Sequence, residues 1–209
     1  MKPISRTDSS RSLPRVFVIA APSGAGKTTL RDYLLNRHPD LYFSVSATTR
    51  QPRVNEVIHK DYHFITPEEY ARHEQNDDFL EHAEVFGNYY GTLRQPIEEN
   101  LRNGRNVLLD VDTKGAEQVK RKMPEAVMIF IMPPSIEELE KRLRSRGTES
   151  EDVIQKRLRE ARHEIAQKDI FDHIVVNDSL ETAQAELDAI LYPASPAREP
   201  SPSRKENLS

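Results

Sequence analysis

Short apolar runs alternate with segments of helical period through most of this chain, the arrangement that produces a parallel sheet covered by helices on both faces. Val16–Ala20, His173–Val176 and residues 106–111 and 127–131 read as buried strands. Each is a short run dominated by Val, Ile, Leu and Phe. Helices are expected to begin near Gly26, Thr113, Ser135, Ser150 and Ser179, with the three serines at N-caps. The fold class implied is α/β, a doubly wound parallel-sheet core.

The rhythm breaks between residues 41 and 100. There, 43–45, 62–65 and 79–86 look like short strands with one helical stretch after Pro67, so the region reads as a smaller mixed α/β lobe inserted in the core. Residues 135–168 are mostly helical, strongly charged and interrupted at Gly147, as in a helical hairpin that serves as a lid. The expected organisation is one domain over 15–192, with a core of 15–40 and 101–192, a lobe of about 41–100 and a lid of about 135–168. Tails flank it: residues 1–14, rich in Ser and Arg, and 193–209, which hold four prolines.

Composition narrows this picture by exclusion. No run approaches the roughly 18 apolar residues of a membrane helix, and the first residues lack the apolar stretch of a secretory signal, so a soluble, cytoplasmic protein without a membrane partner is expected. Cysteine is absent, which removes disulfides, thiolate metal sites and thiol nucleophiles. With 30 basic and 34 acidic residues the net charge is −4, which argues against a nucleic-acid partner. Any anionic ligand must be held by a local cluster.

Such a cluster follows the first strand. Ala21, Pro22, Ser23, Gly24, Ala25, Gly26, Lys27, Thr28 and Thr29 run from Val16–Ala20 into a helical segment, the strand, glycine loop and helix order of a phosphate-binding P-loop. Glycines let backbone N–H groups turn inward around a polyphosphate, and the helix N-terminus adds partial positive charge. These nine residues are the expected ATP-binding loop. Lys27 would reach the β and γ phosphates, and the Thr28 hydroxyl would ligate Mg²⁺. Ala21 stands where the general motif has its first glycine. A second feature is the strand 106–111, which ends in Asp110, a carboxylate suited to Mg²⁺ and equally to capping a helix; beside the P-loop the metal reading is favoured.

The inserted lobe carries the run Ser46-Ala47-Thr48-Thr49-Arg50-Gln51-Pro52-Arg53, then Glu56, Asp61-Tyr62, Glu81 and Asn88-Tyr89-Tyr90-Gly91-Thr92, and Asp112 follows Asp110 by two. With the P-loop, these residues closely resemble guanylate kinase from about residue 16 to 191. The resemblance implies that Arg50, Arg53, Tyr62 and Tyr90 bind the GMP phosphate, that Ser46 and Thr92 meet guanine O6, and that Glu81 and Asp112 accept from guanine N1–H and the 2-amino group. It also implies that Glu56 orients the arginines, that Arg142, Arg146 and Arg157 reach the ATP phosphates from the lid, and that Asn177 belongs to the ATP site. Lys27, Arg50, Arg142, Arg146 and Arg157 make up the expected catalytic set.

The implied reaction is transfer of the γ-phosphoryl group of ATP, with Mg²⁺, to GMP or dGMP. The attacking phosphate oxygen is already anionic near neutral pH, so positioning and charge neutralisation suffice and a general base is not required. The sequence departs from the family where Asn55 and His59 replace glycines around Glu56 and where Lys114 replaces a common glutamine. Asn and His tolerate positive φ, so the loop is expected to persist. Two rival readings are a P-loop kinase with another phosphorylated acceptor, disfavoured by the guanine-facing set, and a phosphopeptide-docking module, disfavoured by the intact P-loop.

Overall fold

The computed structural model describes residues 13–193 apart from Arg146 and Thr148. Five parallel strands form the core sheet in the order β2 (Tyr42–Phe43), β7 (Val107–Asp110), β1 (Val16–Ala20), β8 (Val127–Met132), β9 (His173–Val176). All its pairings are parallel. Alternation within the strands feeds two separate apolar layers. Val16, Val18, Val107, Leu109, Met128 and Phe130 face one side, and Phe17, Ile19, Leu108, Val127, Ile129 and Ile131 face the other. The first layer is closed by Ile97 of α3 (Arg94–Arg102) and by Ala116 and Val119 of α4 (Thr113–Lys122). The second is closed by Leu30 and Leu34 of α1 (Lys27–Arg37) and by Ala183, Leu187 and Leu191 of α7 (Leu180–Leu191). Helices on both faces of a parallel sheet make this the doubly wound fold the sequence predicts, which places ligands at the carboxyl ends of the strands.

A second, mixed sheet runs β4 (His63–Phe64), β3 (Ala47–Thr48), β6 (Asn88–Leu93), β5 (Phe79–Val85). The helix expected after Pro67 is α2 (Pro67–Gln75), fixed by a reciprocal capping box between Thr66 and Glu69. This sheet is anchored to the core by Gln118 of α4, whose amide donates to the His82 carbonyl and accepts from the His82 N–H. The anchor sets β5, and Glu81 with it, beside the start of α4.

The charged hairpin is α5 (Ile136–Ser145) and α6 (Glu151–Ala166), with Gly147 at φ 63° between them and a small core of Leu139, Leu143, Ile154, Leu158 and Ala161. A 3-10 turn (Lys168–Ile170) leads from α6 back to β9.

Several local expectations change. Ser135 and Ser179 cap through their hydroxyls, but Ser150 occupies the N-cap of α6 without a side-chain bond, and Glu151 and Asp152 supply the favourable charge there. The strand read over 79–86 stops at Val85 and returns as β6, because Phe86 and Gly87 both take positive φ and reverse the chain. Helix α3 is unanticipated: Leu93 at its N-cap offers no side-chain oxygen, and Pro96 sits in its first turn, where a missing N–H costs nothing.

Candidate active site

The loop between β1 and α1 is shaped by two glycines. Gly26 has φ 94° and Gly24 φ 96°, backbone states that L side chains rarely adopt. A methyl at Gly26 would also collide with the Asn177 amide, whose nitrogen donates to the Ala25 carbonyl at 2.8 Å. One at Gly24 would press on Leu139 and Leu143 of α5, at 2.9 and 3.0 Å. The loop is thus held between Asn177 on one side and α5 on the other. Asn177 is buried, and its side chain acts on the loop backbone.

This loop bounds a cavity of about 370 Å³ lined by Ala21, Pro22, Ser23, Gly24, Gly26, Lys27, Thr28, Thr29 and Glu164. A second cavity, about 560 Å³, lies across Lys27. Its wall includes Lys27, Arg31, Phe43, Ser46, Glu56, Tyr62, Asp110 and Asp112. Lys27 borders both. Its ammonium is 2.5 Å from Asp110 Oδ1 and donates to the Val111 carbonyl at 2.9 Å, while Arg31, one turn further along α1, meets Asp110 Oδ2 at 3.3 Å. Asp110 therefore carries two cations, and capping of α4 falls to Asp112, which accepts from the Gly115 N–H at 2.7 Å. Helix capping, one of the two readings open for Asp110, thus belongs to its neighbour Asp112.

On the lobe side, Arg50 is gripped by Glu56 through both guanidinium nitrogens at 2.7 and 3.0 Å, and donates to the Tyr90 hydroxyl at 3.2 Å. Its guanidinium stacks 5.3 Å from the Tyr62 ring, and the Tyr62 and Tyr90 rings meet edge-on at 5.9 Å. The Arg50 partnership holds the Glu56 carboxyl below the usual range. Glu56 also accepts from the Arg53 backbone N–H at 2.8 Å, which fixes the loop that displays the exposed Arg53 side chain. His59 takes φ 64°, the left-handed state the family's glycine implies, and its ring contacts His63 at 2.8 Å between Nδ1 atoms; Asn55 is not among the positive-φ residues. Lys114 is exposed on the first turn of α4.

Deeper in, Glu81 is buried and accepts from the Thr92 hydroxyl at 2.5 Å. A methyl placed at Gly115 would lie 3.1 Å from Glu81 Oε2 and 3.4 Å from Asp112 Oδ1, so the small residue lets both carboxylates converge at the start of α4. Burial raises the Glu81 pKa, the Thr92 bond opposes this and the Asp112 charge adds to it. Ser46 lines the second cavity directly.

From the charged hairpin, Arg157 of α6 donates to the Ser23 hydroxyl at 2.8 Å and pairs with Glu149 at 2.8 Å, so α6 touches the P-loop. Arg142 donates to the Asn177 carbonyl at 3.1 Å and pairs with Glu138 at 3.3 Å. Arg146 lies outside the described residues. Among the residues at these cavities that the sequence did not mark as site residues are Arg31 and Glu164. Arg31 had a signal, since it follows Lys27 by one helical turn. Glu164 had none, being one acid on a helix full of charges.

A glycine loop at the carboxyl edge of a parallel sheet, with its lysine held by a carboxylate at the end of the adjacent strand, defines the class of P-loop phosphotransferases. Within that class, the family model for guanylate kinase matches residues 13–194. A guanylate kinase of Synechococcus sp. (strain JA-3-3Ab) is 50% identical over 184 residues, covering 88% of this chain and 85% of that one. One from Carboxydothermus hydrogenoformans is 49% identical over 176 residues, covering 84% and 86%. The crystal structure of guanylate kinase from Anaplasma phagocytophilum superposes with a TM-score of 0.66 at 35% identity, over 87% of this chain and 86% of that one. The chain belongs to the guanylate kinase family, and its reaction is the ATP-dependent phosphorylation of GMP to GDP. Among the described residues, no helix is long and apolar enough to cross a membrane.

Proposed function

We propose that the cavity at Ser23–Thr29 takes the triphosphate of ATP and the cavity at Ser46, Glu56, Tyr62 and Asp112 takes GMP or dGMP, with phosphoryl transfer across Lys27. The observation that carries this reading is that Lys27 forms the shared wall of two otherwise separate cavities. A bound triphosphate would draw the ammonium off Asp110, which stays neutralised by Arg31 at 3.3 Å. Arg50 and Arg53 provide guanidinium donors for the acceptor phosphate, joined by the Tyr62 and Tyr90 hydroxyls. Glu56 keeps Arg50 oriented until the phosphate arrives.

The Thr28 hydroxyl and the Asp110 carboxylate are hard oxygen donors of the kind Mg²⁺ accepts alongside phosphates and water, so they would hold it here. When bound, the ion would neutralise charge on the phosphate oxygens. The chain's own contribution is placement: the P-loop N–H groups and Lys27 fix the donor, Arg50 and the tyrosines fix the acceptor, and Arg157 covers the loop at Ser23. Among the residues carried over from the family, none acts as a general base.

Base choice follows from Glu81 and Asp112. Guanine offers N1–H and a 2-amino group to Glu81 and Asp112, each of which takes one donor from the protein and has a further carboxylate oxygen to offer, whereas adenine offers neither group and would leave the buried Glu81 without that second partner. Glu81→Gln is therefore expected to raise KM for GMP tenfold or more and to narrow the preference over AMP, read from kcat/KM for both. Unchanged GMP kinetics would remove Glu81 from the base site. The same substitution should stabilise the ligand-free protein. A carboxyl with a raised folded pKa contributes stability that is fully present below its unfolded value, near 4.3, and is lost as pH rises through the folded value. The melting temperature of the variant should then exceed wild type at pH 8, with the gap closing toward pH 4.

A further inference from the structure

The wall of the P-loop cavity carries one carboxyl group. Glu164 is half-buried on its wall, facing the space bounded by Ser23, Gly26, Lys27 and Thr28. It lies seven residues beyond Arg157 on α6, two helical turns and about 10.5 Å along the same face. One helix thus aims a cation and a carboxyl at the same loop: Arg157 bonds Ser23, while Glu164 sits at the level of Lys27. Among the described residues no hydrogen-bond donor holds the Glu164 carboxyl, and the charges facing it are Lys27 from α1, Asp112 from the start of α4 and Glu160 from α6 itself. Burial pushes its pKa up to about 7, Lys27 pulls it down, and Asp112 and Glu160 raise it. None of the roles described above uses this group.

We propose that Glu164 sets nucleotide turnover: its carboxylate opposes retention of polyphosphate in the P-loop cavity, so that the nucleotide is released after transfer. This rests on the reading of that cavity as the nucleotide site. Lys27 and Arg157 attract the phosphates, and a carboxylate within the same wall offsets part of that attraction in a partly dehydrated space where charges are weakly screened. A very tightly held product would limit the cycle at release, so a built-in repulsion raises kcat at some expense in affinity.

The test is binding of metal-free ADP by calorimetry to wild type, Glu164→Gln, Glu164→Ala and Lys27→Ala, at pH 6 and pH 8. Both Glu164 variants are expected to bind ADP about tenfold more tightly than wild type at pH 8 and to dissociate it correspondingly more slowly. At pH 6, where the wild-type carboxyl is largely protonated, the gap to Glu164→Gln should close. A group that merely packs would show no such pH-dependent gap. GMP affinity should be unchanged. Equal or weaker ADP binding in both variants at pH 8 would overturn the proposal. So would weakened MgATP binding with metal-free ADP unaffected, which would instead assign the carboxyl to the hydration shell of the metal. If Lys27→Ala also left ADP affinity untouched, the cavity itself would not be the nucleotide site, and the underlying reading would fall with the proposal.

Discussion

Lys27→Ala is expected to lower kcat by a hundredfold or more while the protein stays folded. Loss of one preorganised charge at a transferring phosphoryl group is generally worth that much, because the site is shielded from water and nothing mobile can replace the charge during the reaction. Folding should survive because the ammonium is partly exposed and Asp110, its main partner, retains Arg31. Since Lys27 lines the acceptor cavity as well as the donor cavity, GMP affinity should shift too, but by less than about tenfold, as the acceptor phosphate keeps Arg50 and Arg53. Turnover and thermal melting measured on the same preparation separate the two effects. A folded variant with near-normal kcat would remove the P-loop from the chemistry.

Arg157→Ala carries the second large effect. Its guanidinium bonds Ser23 and Glu149, so it is already poised over the loop that would hold the phosphates. If it completes the charge around the transferring group, kcat should fall a hundredfold or more, with a smaller change in KM for GMP. Arg159, exposed on the same helix, provides the comparison: its replacement by alanine should change stability by under about 0.5 kcal/mol and leave the rate alone. Equal rates for the Arg157 and Arg159 variants would return Arg157 to the solvated surface. Arg146 belongs in the same series on the family resemblance.

The parts of this site that the sequence discloses are those built from consecutive residues. The P-loop is legible because strand, glycines, lysine and helix follow one another, and both Gly24 and Gly26 adopt the positive φ their identity suggests. His59 was legible for the same reason, as a residue able to stand in for glycine at φ 64°. Roles that depend on long-range packing were not. Asp110 and Asp112 look interchangeable in the chain, and only the approach of Arg31 and of Gly115 gives one the cations and the other the helix cap. Asn177 could be linked to the ATP site by resemblance, but its grip on the Ala25 carbonyl needs β9 and the loop in place. Glu164 is one of many acids on α6, and its position against Lys27 exists only once the helix packs on the core. The helix α3 was hidden because its first turn lacks a capping side chain and contains a proline.

The most direct measurement is ADP release, coupled to a spectroscopic readout, with MgATP as donor and GMP, dGMP, AMP, CMP or UMP as acceptor at equal concentration. The arrangement of Ser46, Glu81, Thr92 and Asp112 predicts rapid release with GMP, release with dGMP, and kcat/KM at least a hundredfold lower with AMP, CMP and UMP, because none of the last three presents guanine's adjacent N1–H and 2-amino donors to the buried Glu81 and its neighbour Asp112. Comparable turnover with AMP, or no release above background with GMP, would contradict the account.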